Sequence, residues 1–216
     1  MSLFISIEGG EGSGKSTQIK SLMNWFNKNY PKFEVVLTRE PGGTPQAEQI
    51  RDILVNGRAN KYNERTEALL MVAARAENVI HIIKPALTKG SIVISDRFSD
   101  STYVYQGLAN NIPLNKIEKL HKFAFGNIIP DITILLDVDP KIGLKRAKIR
   151  DKKSSETRFE EKGINFHKKV REGFLKIAKL NPNRFIIVDA SNSARVTDKE
   201  VKKALLKKIK KFEKKL

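Results

Sequence analysis

The sequence of 216 residues has no cysteine, and none of its apolar runs approaches the roughly 20 residues that cross a bilayer. Without cysteine the chain forms no disulfide and offers no thiolate, which agrees with a reducing compartment such as the cytoplasm. The first residues show no basic stretch followed by a long apolar core. We therefore expect no secretion signal, no membrane partner and a cytoplasmic location.

Acidic residues are scarce relative to basic ones: 24 Asp and Glu against 41 Lys and Arg give a net charge of +17. Such an excess fits nucleic-acid binding, or a lysine-rich surface on a protein that handles polyanionic small molecules. Much of it lies from Lys199 to Leu216, where a terminal helix is expected over about residues 197–215. A tail that binds nucleic acid would need no apolar stripe. Apolar residues recur there at helical spacing: Val201, Leu205, Ile209, Phe212 and Leu216. We expect a terminal helix docked on the core, and no nucleic-acid partner.

Short apolar runs alternate with helical stretches along the chain, which predicts a parallel sheet covered by helices on both faces. We expect an α/β fold with three layers around a five-stranded parallel sheet. The length suggests one domain over residues 1–216. The expected strands are Leu3–Ile7, Phe33–Thr38, Ser91–Ser95, Ile132–Asp137 and Arg184–Val188.

A glycine-rich stretch follows the first expected strand and precedes a helix over about Thr17–Asn27. Its pattern, G-x-x-x-x-G-K-[S/T] between a strand and a helix, is typical of a phosphate-binding loop. Glycines let backbone N–H groups face an anion, and the start of the helix adds the positive end of its dipole. Together with the parallel sheet, this loop predicts a P-loop NTPase fold. We expect Lys15 to contact the outer phosphates of the ligand and Ser16 to bind Mg²⁺. The stretch consists of Gly9, Gly10, Glu11, Gly12, Ser13, Gly14, Lys15 and Ser16.

Polar residues also follow the second and third expected strands, at the edge where parallel α/β sheets bind ligands. Asp96 stands where an acid would organise Mg²⁺ beside a phosphate loop, although a turn cap is the alternative. Arg97 suits bidentate contact with a phosphate. Arg39 and Glu40 lie at the other strand end, where a surface ion pair is equally compatible.

Three helical segments carry further candidates. A helix over about Gln46–Leu54 carries Arg51, and a long amphipathic helix is expected over Asn63–Leu87. On the long helix, Met71, Arg75 and Asn78 fall on one narrow arc that either forms a pocket wall or is merely solvated. The opposite side is an apolar stripe of Leu69, Val72, Ala73, Ala76, Ile80, Ile83 and Leu87.

Thr102 and Gln106 are four residues apart on another expected helix and so share a face. A hydroxyl and an amide there would read the edge of a base, unless both are surface residues. Tyr103 and Tyr105 are expected to pack in the core.

A polar, charged segment over residues 150–159 follows a helix that begins at Pro140. It predicts a mobile lid over about residues 147–162, with a solvated loop as the alternative. Lids that close over phosphates carry arginines. The candidates are Arg146, Arg150 and Arg158.

In this order, the motifs resemble those of bacterial-type thymidylate kinases, a family of P-loop nucleoside monophosphate kinases. The resemblance covers about residues 3–190. The phosphate loop alone is shared by many ATPases and GTPases, whereas the other motifs are more specific. These are residues 38–44, Ala73-Ala74-Arg75, Asp96-Arg97-Phe98, Tyr105-Gln106-Gly107 and the arginine-bearing lid.

The resemblance implies a homodimeric kinase that phosphorylates dTMP to dTDP with Mg-ATP. Residues 9–16, Thr17 and Arg146 would bind ATP, and Ser16 and Asp96 would hold Mg²⁺. The phosphate loop has no arginine, so the catalytic arginine would come from the lid. The implied catalytic residues are Lys15, Asp96, Arg97, Arg150 and Arg158, and the implied dTMP-binding residues are Glu11, Arg39, Glu40, Arg51, Met71, Arg75, Arg97, Thr102 and Gln106.

Met71 stands where the family usually has a phenylalanine that stacks on thymine. A thioether covers a base face but fixes its orientation less well than a ring. A kinase for another pyrimidine nucleotide or deoxynucleoside therefore stays open, as does, with less support, a nucleic-acid-stimulated ATPase.

Overall fold

The computed structural model describes residues 2–58, 60–150 and 158–213, without the side chains of residues 150 and 211–213. Five strands form one parallel sheet in the order β2-β3-β1-β4-β5. The predicted fold is confirmed, and each strand boundary lies within two residues of its prediction. The strands are β1 Leu3–Glu8, β2 Val35–Arg39, β3 Ile92–Asp96, β4 Ile132–Asp137 and β5 Phe185–Asp189.

Helical segments connect the strands and cover both faces of the sheet. The α-helices are α1 Lys15–Asn29, α2 Pro45–Val55, α3 Glu64–Asn78, α4 Lys84–Thr88, α5 Ser99–Thr102, α6 Leu114–Phe125, α7 Pro140–Arg150, α8 Gly163–Leu180 and α9 Ala194–Glu213. Val79–Ile83 and Tyr103–Leu108 are π-helical, and Glu160–Lys162 is a 3₁₀ turn. Within the described ranges, none of the helices is both long and apolar enough to cross a membrane.

Alternation along β1 separates the two apolar layers, because successive side chains of a strand point to opposite faces. Ile7 lies in one buried cluster with Leu22 of α1 and Leu205 of α9. Phe4 lies in another, where its ring meets Phe98 at a centroid distance of 4.9 Å. The sheet is therefore the middle layer of three.

The terminal helix docks on the core as predicted. Val201, Leu205 and Ile209 are buried against α1 and the sheet. The side chain of Phe212, and the whole of Leu216, lie outside the described residues. In the part of the lysine-rich segment that the structure describes, the apolar stripe therefore serves to attach the helix to the core.

The single helix predicted over Asn63–Leu87 is interrupted. The π-helical turn Val79–Ile83 joins α3 to α4. A π turn inserts an extra residue into the helical repeat, so the faces before and after it do not align in one stripe.

The predicted apolar stripe on this helix is wrong in part. Val72 is buried, whereas Leu69 is 54% exposed and Ile80 is 50% exposed. Arg75 and Asn78, placed on the opposite arc, are buried instead. Burial of these polar side chains is tolerated because both form hydrogen bonds inside the protein. Leu69 and Ile80 therefore lie on an outer face of α3 and the π turn, whereas Val72 and Ile83 face the core.

The carboxyl ends of the central strands bring the predicted polar residues together. Asp96 at the end of β3 lies beside Ile7 of β1 on one side and Arg39 of β2 on the other. The phosphate loop begins just after β1. One edge of the sheet thus carries the loop, the acid and the flanking arginines.

Candidate active site

A cavity of about 670 Å³ opens at this edge of the sheet. It is lined both by the phosphate loop and by residues of β2, β3, α2, α3, α5 and α7. Among the predicted site residues with described side chains, all but Gly9, Gly10 and Arg158 line the cavity. Those that line the cavity are Glu11, Gly12, Ser13, Gly14, Lys15, Ser16, Thr17, Arg39, Glu40, Arg51, Met71, Arg75, Asp96, Arg97, Thr102, Gln106 and Arg146.

The phosphate loop requires glycine at two points. Gly9 and Gly12 have positive φ angles of 146° and 64°. A Cβ at Gly12 would lie 1.9 Å from the carbonyl oxygen of Gly143, and one at Gly9 would lie 2.6 Å from that of Leu136. The loop backbone therefore packs directly against β4 and α7, which leaves its N–H groups on the cavity side free of side-chain bulk.

The start of α1 is uncapped. Gly14 occupies the N-cap position without a side-chain hydrogen bond, and the first turn carries no acidic residue. The first N–H groups of a helix have no partner within it, so they attract an anion. Because Lys15, Ser16 and Thr17 line the cavity, these donors are presented to a bound phosphate.

Lys15 reaches back over the loop. Its Nζ donates to the carbonyl oxygens of Gly9 at 3.3 Å and Gly10 at 3.2 Å. Burial lowers the pKa of Lys15, and the nearby Arg97 guanidinium lowers it further. Glu11, Asp96 and Glu8 act in the opposite direction and raise this pKa. A phosphate placed at the loop would replace the two carbonyl oxygens with a charged hydrogen-bond acceptor.

Asp96 and Ser16 have the properties of a magnesium site. Asp96 has a buried Oδ1 without a hydrogen-bond partner among the described residues. Mg²⁺ is usually held by few protein groups, together with water and substrate phosphates. The part of the chain that the structure describes contains no cluster of three His, Cys, Asp or Glu side chains able to hold a metal. A hydroxyl plus one unpaired carboxylate oxygen thus fits Mg²⁺ beside a phosphate.

Arg97 links the phosphate loop to the floor of the cavity. Its backbone has a φ of 67°, and its Nη1 donates to the carbonyl oxygen of Gly9 at 2.9 Å. Its Nη2 donates to Glu11 Oε1 at 2.9 Å, and the hydroxyl of Tyr105 donates to the same oxygen at 3.1 Å. Burial raises the pKa of Glu11, but Arg97 and Lys15 outweigh it and lower the pKa to about 2. Glu11 is therefore a carboxylate at neutral pH.

Arg75 is fixed inside the second half of the cavity. Its Nε donates to Glu40 Oε2 at 2.5 Å, and its Nη2 donates to the carbonyl oxygen of Phe98 at 3.1 Å. Its Nη1 donates to Thr102 Oγ1 at 2.8 Å and to His121 Nε2 at 3.2 Å. An arginine has five N–H groups, so these four bonds leave one N–H on Nη2 for a ligand.

His121 supports Arg75 from α6. Burial lowers its pKa to about 2, and the charge of Arg75 contributes in the same direction. The imidazole is therefore neutral and accepts a hydrogen bond at Nε2. The sequence does not mark this residue, because a single histidine on a helix has no distinguishing spacing.

Arg39 and Arg51 lie at the rim of the cavity. Arg39 forms a bidentate pair with Glu48, with Nε–Oε1 at 3.0 Å and Nη2–Oε2 at 2.7 Å, and its side chain is 52% exposed. Arg51 donates from Nη1 to the carbonyl oxygen of Pro41 at 2.9 Å. Arg39 thus forms the surface ion pair that the sequence allowed and also lines the cavity.

Arg146 lines the end of the cavity opposite to Arg39 and Arg51. From α7 it donates to the carbonyl oxygens of Ala190 at 2.6 Å, Ser191 at 2.7 Å and Asn192 at 3.3 Å. All three residues follow β5, and Ala190 and Asn192 form part of the cavity wall. Arg146 therefore holds the loop between β5 and α9 at the end of the cavity next to the start of α1.

Arg158 is not where a lid arginine was expected. Its side chain is fully buried, and its Nη2 donates to Glu67 Oε2 at 2.5 Å. It also donates to the carbonyl oxygens of Leu54 at 2.9 Å and Arg58 at 3.3 Å. These acceptors compensate for desolvation of the guanidinium. Arg158 itself does not line the cavity. The side chain of Arg150 is outside the described residues, as are residues 151–157 of the predicted lid.

Comparisons with known proteins agree with this geometry. A sequence model of the family described as "Thymidylate kinase" matches residues 7–201. The thymidylate kinase of Caulobacter vibrioides is 44% identical over 187 residues, which cover 87% of this chain and 88% of the relative. That of Geobacter sulfurreducens is 43% identical over 212 residues, covering 97% and 99%. The chain belongs to the thymidylate kinase family.

A solved structure supports the same family. The crystal structure of the thymidylate kinase from Ehrlichia chaffeensis is similar with a TM-score of 0.75 and 36% identity, and the match covers 94% of this chain and 98% of that one. The chain is therefore an enzyme, a nucleoside monophosphate kinase, and ATP is its phosphoryl donor.

Two buried acids of this thymidylate kinase family member were missed by sequence reasoning. Glu8 ends β1 and accepts hydrogen bonds from the backbone N–H of Phe98 and from Ser101 Oγ, each at 2.7 Å. Burial raises the pKa of Glu8 to about 8, and Asp100 adds to the shift. Glu67 could have been found, since it lies four residues before Met71 and eight before Arg75, on the same helical face.

Proposed function

We propose that this chain transfers the γ-phosphoryl group of ATP to the phosphate of dTMP within the cavity described above, giving dTDP. The observation that carries the proposal is that the phosphate loop and the buried Arg75 pocket line one continuous cavity. A nucleotide in each half would bring its phosphates together above Lys15. In-line transfer needs this alignment more than it needs covalent chemistry from the protein.

The ATP half uses backbone donors. Residues 9–17 would surround the β- and γ-phosphates, and Arg146 would keep the loop after β5 against the nucleoside. Ser16 and Asp96 would hold Mg²⁺, with Asp96 bound directly or through water. Mg²⁺ held there would supply positive charge that offsets the charge of the phosphates. Lys15 would move from its carbonyl partners to the transferring phosphoryl group.

The acceptor half uses side-chain charge. Arg51 and Arg97 would bind the phosphate of dTMP, with Arg39 close by at the rim. That phosphate has a second pKa of about 6 and so is an ionised nucleophile near neutral pH. A strong general base is therefore unnecessary. Glu11, held as a carboxylate between Arg97 and Tyr105, would accept from the sugar 3′-hydroxyl.

The base would lie between Met71 and the polar wall formed by Arg75, Thr102 and Gln106. Arg75 has one N–H beyond its four protein bonds, and Thr102 already accepts from Arg75, so its own proton is available to donate. Glu40 binds Arg75 from behind. We assign Glu40 to positioning Arg75 for the base.

An acceptor panel tests the proposal. ADP release with Mg-ATP is measured for dTMP, dUMP, dCMP, AMP and thymidine. We expect dTMP to have the highest kcat/KM, and thymidine to be inactive because it lacks the acceptor phosphate. Equal use of AMP, or ATP hydrolysis that depends on added DNA, would contradict the proposal.

Arg150 is proposed as the lid arginine that stabilises charge during transfer, because Arg158 is committed to Glu67. An arginine supplied in this way changes kcat by roughly 10³–10⁵ in related phosphoryl transfers. Arg150→Ala should lower kcat by at least about 10³, with little change in the Kd for dTMP. The matched control is Lys148→Ala, an exposed position on the same helix. Normal turnover in Arg150→Ala would remove this residue from the mechanism.

We also propose that the enzyme is a homodimer in the cytoplasm, as the family resemblance implies. Leu69 and Ile80 lie on an exposed apolar face of α3 and the π turn, and Phe123 of the neighbouring helix α6 is 91% exposed. Apolar side chains grouped in this way favour contact with a second copy. Sedimentation velocity of the wild type and of Phe123→Asp tests this, and a wild-type monomer at micromolar concentration would contradict it.

A further inference from the structure

A buried carboxylate lies behind the base pocket. Glu67, in the first turn of α3, is almost completely buried. It accepts hydrogen bonds from Arg158 Nη2 at 2.5 Å, from Gln106 Nε2 at 2.8 Å, and from Lys162 Nζ at 3.3 and 3.4 Å. Three segments that are distant in sequence therefore meet at one side chain.

The two cations that contact Glu67 are also held by groups other than Glu67. Arg158 also donates to carbonyl oxygens at and beyond the end of α2 and lies 5.5 Å from the ring centroid of Tyr62. Lys162 lies 4.8 Å from the ring centroid of Phe166. Both cations also lie over the ring of Phe159, which lines the cavity, at 5.0 Å and 5.2 Å from its centroid, but neither cation lines the cavity itself.

The carboxylate decides which way the amide of Gln106 points. A carboxylate oxygen accepts but does not donate, so only the NH₂ end of the amide can bind it. Gln106 itself is buried but lines the cavity. Its Oε1 accepts no hydrogen bond from the rest of the described chain, so this oxygen is the end of the amide left for a ligand.

We infer that Glu67 is a positioning residue for base selection, which fixes the Gln106 amide so that its carbonyl oxygen, and not its NH₂, meets the base. This inference rests on the proposed function. An oxygen at this point accepts from a ring N–H, which thymine and uracil carry at N3. Cytosine carries a lone pair there, so two acceptors would face each other. The site therefore rejects cytosine through a residue that never touches the base.

Glu67→Gln tests the inference. A glutamine at this position offers both a donor and an acceptor, so the Gln106 amide is free to reverse. We expect the ratio of kcat/KM for dTMP to that for dCMP to fall by roughly tenfold, since about one hydrogen bond of discrimination is lost. The ratio for dTMP against dUMP should not change, because both bases carry the N3–H.

Lys162→Met is the matched control. It removes the weaker contact to Glu67 and leaves the bond between Glu67 and Gln106 in place. We expect the dTMP-to-dCMP ratio of this variant to equal that of the wild type. A merely structural role of Glu67 would lower activity on both nucleotides equally and leave the ratio unchanged in Glu67→Gln as well.

Glu67→Gln also leaves the buried Arg158 without a negative partner, which destabilises the fold. Thermal unfolding therefore checks that the variant is folded. If it does not fold, the double variant Glu67→Gln with Arg158→Gln restores an uncharged pair, and the same fall in the ratio is expected. An unchanged ratio in a folded variant overturns the inference. Failure of the wild type to use dTMP would instead overturn the proposed function.

Discussion

The two halves of the cavity are built in opposite ways. The phosphate half is made of consecutive residues, mostly backbone, and it contains unpaired groups: an uncapped helix start and a buried Asp96 oxygen without a partner among the described residues. The base half is made of side chains from α3, α5 and the π-helical segment Tyr103–Leu108, supported by Glu40 just after β2 and His121 of α6. There the functional groups are bound to each other before any ligand arrives, as the four hydrogen bonds of Arg75 show.

This difference follows from what each half must recognise. A phosphate is a multiply charged anion that any converging set of N–H groups will bind, so the protein leaves such groups open. A base differs from its analogues by the direction of single hydrogen bonds, so its partners must be held in one orientation. The following predictions test this contrast, from the largest expected effect to the smallest.

Lys15→Met should affect catalysis without affecting folding or the base half. Loss of the ammonium above the loop should lower kcat by about 10³, with the Kd for dTMP unchanged. Steady-state kinetics and dTMP titration measure the two quantities. Lys20→Met, an exposed residue of the same helix, is the control and should behave as the wild type. A matching loss of dTMP affinity in Lys15→Met would show that the halves are not separate.

Glu40→Gln should lower the unfolding free energy of the protein, because it disrupts the buried network of the base half. Both Glu40 and Arg75 are buried, and removing one partner of a buried pair costs about 3–5 kcal/mol of unfolding free energy. Glu48→Gln breaks the exposed pair with Arg39 and should cost less than about 1 kcal/mol. Urea unfolding of both variants measures the difference. Equal costs would mean that the Arg75 network is not the rigid part of the cavity.

His121→Gln should change how stability depends on pH. The pKa of His121 is lowered to about 2 in the folded protein, so between its ordinary pKa near 6.5 and that value only the unfolded chain takes up the proton. This residue therefore makes the wild type lose stability as pH falls below 6.5, by up to about 1.4 kcal/mol per unit.

Glutamine keeps an acceptor for Arg75 but does not titrate. Between pH 6.5 and 5, the unfolding free energy of the variant should therefore fall less steeply with decreasing pH than that of the wild type. The difference in slope should correspond to the uptake of about one proton on unfolding. Denaturation at several pH values measures it. Identical slopes would show that His121 is protonated in the fold, and that Arg75 lacks its neutral acceptor.

Met71→Phe should have the smallest effect. Met71 lines the cavity, and an aromatic ring stacked on the base is worth about 0.5–1.5 kcal/mol beyond area burial, against about 0.3–1.5 kcal/mol for a sulfur–aromatic contact. The KM for dTMP should therefore fall by no more than about twofold, with kcat unchanged. Met71→Leu, which keeps the volume without sulfur or ring, is the comparison. A higher KM in Met71→Phe would place the base elsewhere in the cavity.

The contrast also explains what the sequence could predict. The phosphate loop is contiguous, so its spacing identifies it directly, and the alternation of strands and helices predicted the sheet. The predicted buried face of α3 was wrong in part, because this helix buries Arg75 and Asn78 and exposes Leu69. Burial of a polar side chain depends on partners such as Glu40, which is 35 residues away along the chain.

Supporting residues are the least predictable part of the site. His121 and Glu8 lie on other elements than the groups they bind, and only the fold brings them together. Arg158 was assigned to a lid from the composition of its segment. Composition does not reveal the buried Glu67 that binds it.

The central claim is that one cavity holds the donor and the acceptor at the same time. The most direct test is calorimetric titration of dTMP into enzyme saturated with Mg²⁺ and a non-hydrolysable ATP analogue. The account predicts that one dTMP binds per chain in the presence of the analogue, at least as tightly as in its absence. Displacement of either nucleotide by the other would contradict it.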